Sequence, residues 1–296
     1  MEPWATDPYD WTPLPPTRPR PSLWREYGRN AALFVLTVVS VWMTGGPRLA
    51  AGLLSILLAH EMGHYLACRY YGVDATLPFF LPVPVFSFVG TLGAFIRIRG
   101  PIPHRRALFD IGVSGPLAGF LVSLPVLALG IAESRVVREG ALRGSVSLGE
   151  PILFRWASLA FHGRLTGDLT VALGPLGLAA WFGLFVTALN LIPIGQLDGG
   201  HVTYSIFRER AHLISWIGSW VCVLLVYFGP NWIVWAILVR ALGRRHPHTL
   251  DDSLPLGPAR TTIGVLALAV FVVCFTPNPI VWSWSEFFDV IGWWRR

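Results

Sequence analysis

Residues Leu49 to Cys68 read LAAGLLSILLAHEMGHYLAC, among the most apolar stretches of the chain. Within it lies His60-Glu61-Met62-Gly63-His64. On a helix, residues four apart share one face, so His60 and His64 can bind a single Zn²⁺. Glu61 between them can then activate a metal-bound water. The flanks on both sides are apolar, so these ionisable groups sit where a membrane would surround them. Charge at membrane depth is costly and marks a functional site by default.

The whole chain fits that reading. Its 296 residues are 53% hydrophobic and 14% charged, with a mean hydropathy of +0.55. No ordinary soluble domain has this composition, and several apolar runs approach the length of a span. The fold class expected is an all-α polytopic membrane protein. All 23 basic residues are Arg, which leaves no Lys for Schiff-base or general-base chemistry. The net charge of +6 suits anionic lipid headgroups. The Arg residues are scattered along loops, so no nucleic-acid partner is expected. Cys68, Cys222 and Cys274 all fall in apolar segments, an arrangement that argues against a disulfide framework.

Seven apolar segments run over roughly 31–46, 49–71, 107–132, 171–192, 211–228, 231–243 and 260–277. The first and sixth are short for a span, and Gly229-Pro230-Asn231 alone separates the fifth from the sixth. Six to seven membrane helices are therefore expected. They occupy residues 31–277, between a Pro- and Arg-rich tail over 1–30 and a Trp-rich interfacial tail over 278–296. The first 30 residues hold no hydrophobic core of a signal peptide. Alternating the segments puts 15 Arg on the side of the N-terminus and 8 on the other. The positive-inside rule then makes the N-terminus cytosolic, with the cell membrane as the expected location.

Residues 73–106 fit neither a helix nor a soluble loop. Pro78, Pro82 and Pro84 forbid a regular helix, yet Phe79, Phe80, Leu81, Phe86 and Phe88 are too apolar for water. From Val85 to Arg99 the residues alternate as in a strand, with Gly90 and Gly93 near a turn. Two readings stay open: an interfacial loop, or a re-entrant β-hairpin beside the active site. In the second reading, Val85, Phe86, Val89, Ala94, Ile96 and Ile98 form a strand that receives substrate.

Two ligands from one helix need a third from elsewhere. The candidate is Asp198, in Asn190-Leu-Ile-Pro193-Ile-Gly195-Gln-Leu197-Asp198-Gly199-Gly200-His201. By itself that stretch reads as an interfacial turn; paired with H-E-x-x-H it reads as a carboxylate presented to a buried metal. His201 is either a neighbour supporting the metal ligands or a structural histidine. Asp110 reads as a helix-start acid. Gly115 and Gly119 read as helix packing. His246 and His248 with Asp251 and Asp252 read as a solvated loop rather than a second metal site.

The two motifs together resemble the paired signature of the site-2 proteases, the intramembrane zinc metalloproteases. Gly90-Thr-Leu-Gly93 and the glycines from Gly112 to Gly119 resemble the same family, over about residues 49–207. The resemblance implies one Zn²⁺ per chain with His60, His64 and Asp198 as ligands. It also implies Glu61 as general base, Asn190 near the scissile carbonyl and a three-helix catalytic core. The implied substrate is a membrane-spanning protein or peptide, cut near the cytosolic side. There is no PDZ or CBS insertion. A catalytically silent binding protein is the alternative, and intact Glu61 argues against it. A metal transporter is a third class, disfavoured by the lack of internal repeats.

Overall fold

The computed structural model describes residues 23–84, 87–138, 146–241 and 249–281. The first helix, α1, runs from Leu23 to Tyr70 but is broken at Gly45 and Gly46. Gly46 has φ 80°, a left-handed conformation that glycine adopts without strain, and Pro47 starts the next turn. The two arms fold back on one another. Phe34, Val38 and Val41 of the first pack with Leu49, Leu53, Leu54 and Leu57 of the second. The Asn30 amide donates to the carbonyls of Leu77 (2.7 Å) and Pro78 (2.9 Å), just beyond the end of the second arm.

Strands β1 (Phe79–Pro82) and β2 (Thr91–Phe95) form an antiparallel hairpin along the first arm. Phe80 meets Phe34 edge-on, and the Ser40 hydroxyl donates to the Gly90 carbonyl at the tip. The alternation over 85–99 thus yields a shorter strand than expected. Its partner lies in the proline-bearing stretch that looked irregular. Proline is tolerated because Pro82 ends a two-stranded ribbon, at a register shift. Val89 is buried in the turn, Ala94 lies in β2, and Ile96 and Ile98 follow it. Val85 and Phe86 lie outside the described residues. Beyond β2 the chain pairs with residues 74–76: the Thr76 amide donates to the Arg97 carbonyl and the Arg99 amide to the Asp74 carbonyl.

Helix α2 (Arg105–Ala132) follows, capped by His104, whose Nδ1 accepts the Ala107 amide at 3.0 Å. Burial and the neighbouring Arg106 hold His104 below the usual imidazole pKa, which favours the neutral ring this cap needs. Next come β3 (Arg135–Arg138), α3 (Ile152–His162) and β4 (Leu169–Ala172), with β3 and β4 paired antiparallel. Helices α4 (Pro175–Asn190), α5 (Asp198–Phe207), α6 (Ala211–Leu225), α7 (Asn231–Ala241) and α8 (Pro258–Cys274) follow among the described residues. The fourth apolar segment is therefore split: its first residues belong to β4, and the helix starts at Pro175.

Two loop-bearing faces are tied by polar contacts. On one, Tyr71 and Arg260 both bond Asp110, with Arg260 Nε and Nη2 at 2.9 and 2.8 Å. Burial, with Asp110 alongside, pushes the Tyr71 phenol up to about 12. On the same face, Tyr204 donates to Asp252 and Arg105 to the Leu254 carbonyl. On the other face, Arg48 pairs with Glu133 at 2.8 Å, and the Trp232 indole donates to the Pro277 carbonyl. Between the faces the usual polarity is reversed. Leu36, Met43, Leu121, Leu224 and Leu268 are exposed, whereas His60, Glu61 and His64 are buried. Such a surface is solvated by lipid.

Among the described residues, three helical stretches are long and apolar enough to cross a membrane: Tyr27–Tyr70, Arg105–Ala132 and Asp198–Phe228. The chain is a mostly helical, polytopic membrane protein with two small sheets.

Candidate metal centre

The second arm of α1 presents His60, Glu61 and His64 to α2 and α4. Close approach is possible because α2 offers glycine opposite both histidines. A Cβ on Gly115 would stand 2.1 Å from His64 Nε2, and one on Gly119 would stand 3.1 Å from His60 Cβ. On α1 itself, a Cβ at Gly63 would meet the Ser114 carbonyl oxygen at 2.5 Å. These glycines are indeed a packing surface, and what they pack is the histidine pair.

His64 Nδ1 lies 2.7 Å from the carbonyl oxygen of Ile111. A carbonyl only accepts, so Nδ1 carries the proton and Nε2 keeps its lone pair. That nitrogen is 3.2 Å from His60 Nε2 and 3.2 Å from Asp198 Oδ2, and His60 Nε2 is 3.3 Å from the same oxygen. Asp198 reaches the histidines because the chain breaks after α4 at Pro193 and Gly195, then starts α5 at Asp198 itself. Asn190, the last residue of α4, places its Nδ2 3.3 Å from His60 Nε2. Glu61 is 5% exposed and lies near both histidines and Asp198, with the Ile96 backbone alongside.

The three donor atoms fit a metal. Ligand atoms about 2.0–2.1 Å from a tetrahedral Zn²⁺ lie roughly 3.3 Å apart, and the observed triangle has edges of 3.2, 3.2 and 3.3 Å. Two imidazoles and one carboxylate match zinc's preference for N and O ligands and leave a fourth position open. Access is from the Asp198 side: its side chain is 17% exposed against 4% for His60 and 8% for His64.

The structure thus brings together His60, Glu61, His64, Asn190 and Asp198, with Ile96 at the edge of the group. His201 lies farther along α5, its Cβ against Gly112 of α2. Asp110 is an ion-pair partner of Arg260 rather than an acid of the first helical turn. His246 and His248 lie outside the described residues, while Asp252 accepts from Tyr204 and Thr249. The Ile111 carbonyl could not be read from the residues, because a backbone acceptor has no residue signature.

A His-His-carboxylate group inside an apolar bundle, with buried Glu61 beside it, defines a membrane protein with a candidate metal centre. Residues 48–225 match peptidase family M50, the site-2 protease family, and the chain belongs to that family. Among its relatives is the probable zinc metalloprotease EGY1, chloroplastic, of Oryza sativa subsp. japonica, 32% identical over 255 residues. That alignment covers 82% of this chain and 42% of the rice protein. The EGY1 protein of Arabidopsis thaliana is 31% identical over 256 residues, covering 82% of this chain and 44% of its own. The probable zinc metalloprotease EGY2, chloroplastic, of Arabidopsis thaliana is 27% identical over 245 residues, covering 78% and 42%. The chain therefore spans less than half the length of these relatives.

Proposed function

We propose that this protein is a zinc endopeptidase that hydrolyses peptide bonds in the membrane-spanning segments of other proteins. The observation that carries the reading is the convergence of His60 Nε2, His64 Nε2 and Asp198 Oδ2 beside buried Glu61. Zinc held by these three residues would polarise a carbonyl and lower the pKa of water to about 7. Glu61 would take a proton from the attacking water and return it to the leaving amine. The Asn190 amide would donate to the carbonyl oxygen as it gains charge. His201 stands as a supporting residue on the helix of Asp198.

The hairpin would hold the substrate. It runs beside the first arm from the level of Asn30 to that of Ser40, a depth of about 15 Å at the helical rise. We take it as re-entrant. The amide of Arg99 and the carbonyl of Arg97 face residues 74–76, so the amides of Ile96 and Ile98 point to the opposite edge. The Ile96 backbone lies alongside Glu61, which supports that edge as the one beside the reacting centre. An extended peptide added along it would satisfy backbone groups that no water reaches at this depth.

The Arg asymmetry supports a cytosolic hairpin face and N-terminus, in a cell membrane crossed six or seven times. The deciding experiment compares membrane proteomes of cells carrying the wild type or Glu61→Gln. Single-span proteins should accumulate uncleaved in the variant. Identical proteomes with partners still bound would favour a silent binding protein, and zinc uptake by reconstituted vesicles would favour a transporter.

A further inference from the structure

Helix α3 has an apolar strip that nothing else in the described chain covers. Ile152, Trp156 and Leu159 recur at helical spacing and are 39%, 58% and 49% exposed. The opposite face is in the core: Phe154 is buried, with Leu153 and Ala157 beside it, against Leu127 and Ile131 of α2 and Cys274 of α8. Arg155 borders the strip, its side chain 72% exposed and 3.9 Å from Glu150. The His162 ring nitrogen bonds the Ile131 carbonyl at 3.0 Å and pins the helix to the end of α2.

Where α3 sits identifies what covers the strip. Ile131 and Cys274 belong to the final turns of α2 and α8, so α3 lies at the rim of the apolar belt. Leu129 and Val272 in those same turns are exposed at 58% and 50%, as lipid-facing residues are. The strip continues that surface past the ends of the two helices. An aromatic ring in an apolar strip, with a guanidinium on its border, suits the boundary of acyl chains and headgroups.

We infer that α3 is an in-plane membrane helix: Ile152, Trp156 and Leu159 enter the bilayer boundary on the Gly45–Gly46 face, while Arg155 stays among the headgroups. The occupant is phospholipid, not a second copy or another protein. The helix fixes the level at which α2 ends, independently of any catalysis.

The test uses the full chain with zinc in phospholipid nanodiscs, with single cysteines for spin labelling. Cys68, Cys222 and Cys274 are buried, so the label reaches the introduced sites. Labels replace Trp156, Leu159 and Arg155, with Leu268 on α8 as the lipid-facing reference. Power saturation with oxygen and with a water-soluble nickel chelate reads the position of each label. The oxygen-to-chelate ratio at 156 and 159 should be several-fold higher than at 155 and approach that at 268. Ratios at 156 and 159 equal to that at 155 would put the strip in water and overturn the inference. Labels shielded from both reagents would mean a protein contact and overturn it equally. Zinc content of each labelled protein shows that it is folded.

Discussion

Gly115 faces His64 so closely that a methyl group on it would stand 2.1 Å from Nε2. The ring cannot swing away, because its Nδ1 proton is held by Ile111 at 2.7 Å. Gly115→Ala should therefore cost zinc affinity about 10–100-fold, as loss of a ligand's orienting contact does. Gly119→Ala meets His60 Cβ at 3.1 Å and should cost much less. Zinc stoichiometry after dialysis against a weak chelator checks both, and equal retention in the two variants would contradict the cradle.

Base and ligands should separate by metal content. Glu61→Gln should keep zinc and lose at least about 100-fold in cleavage rate, the usual share of a general base. His60→Ala, His64→Ala and Asp198→Ala should lose both. Mass spectrometry of purified protein decides, and full zinc occupancy in Asp198→Ala would remove Asp198 from the ligands.

Proline scanning tests substrate pairing edge by edge. Ile98→Pro deletes an amide on the edge facing away from residues 74–76. It should slow cleavage about 10-fold or more with zinc intact, from one backbone hydrogen bond lost at depth. Arg99→Pro deletes the internal bond to the Asp74 carbonyl and should instead loosen the hairpin itself. Wild-type turnover by a zinc-loaded Ile98→Pro protein would argue against strand addition.

The ion pair between Asp110 and Arg260 joins α2 to α8 with two short contacts, and both side chains are less than a third exposed. Arg260→Ala leaves the Asp110 carboxylate with Tyr71 alone. Stability should fall by about 1–3 kcal/mol, read as a thermal midpoint several degrees lower, with zinc content unchanged. An unchanged midpoint would show that the pair is solvent-screened.

Thr17 and Ser147 test the topology. Single cysteines there should label oppositely with an impermeant thiol reagent in intact cells, with Ser147→Cys reactive and Thr17→Cys protected. The reverse pattern would invert the orientation drawn from Arg counts.

Much of this was legible in the residues. The apolar runs coincide with α1, α2, α4, α6, α7 and α8 because a span must be continuously apolar, which leaves a mark in composition. The break at Gly45-Gly46-Pro47 was visible for the same reason that it works: these residues cannot continue a helix. His60, His64 and Asp198 could be paired across 134 positions only because metal chemistry needs a third ligand. What stayed hidden is three-dimensional. β1 was masked by prolines that an edge strand tolerates. Helix α3 lies between the apolar segments 107–132 and 171–192, and its two apolar faces show only once its neighbours are placed. The glycine seam of α2 reads as ordinary packing until the atoms opposite it are seen to belong to the candidate ligands His60 and His64.

That seam divides the molecule mechanically. Helix α2 supplies none of the three candidate ligands, yet it abuts His60 at Gly119, His64 at Gly115 and the start of α5 at Gly112. Sliding it by a single residue would move each glycine about 1.5 Å along the axis and drive a side chain into the metal site. The second arm of α1, α2 and the start of α5 must therefore travel as one rigid body. If the chain takes a membrane-spanning polypeptide as substrate, the motion that would admit it falls to the parts outside that body: the first arm with its hairpin, and α6 with α7.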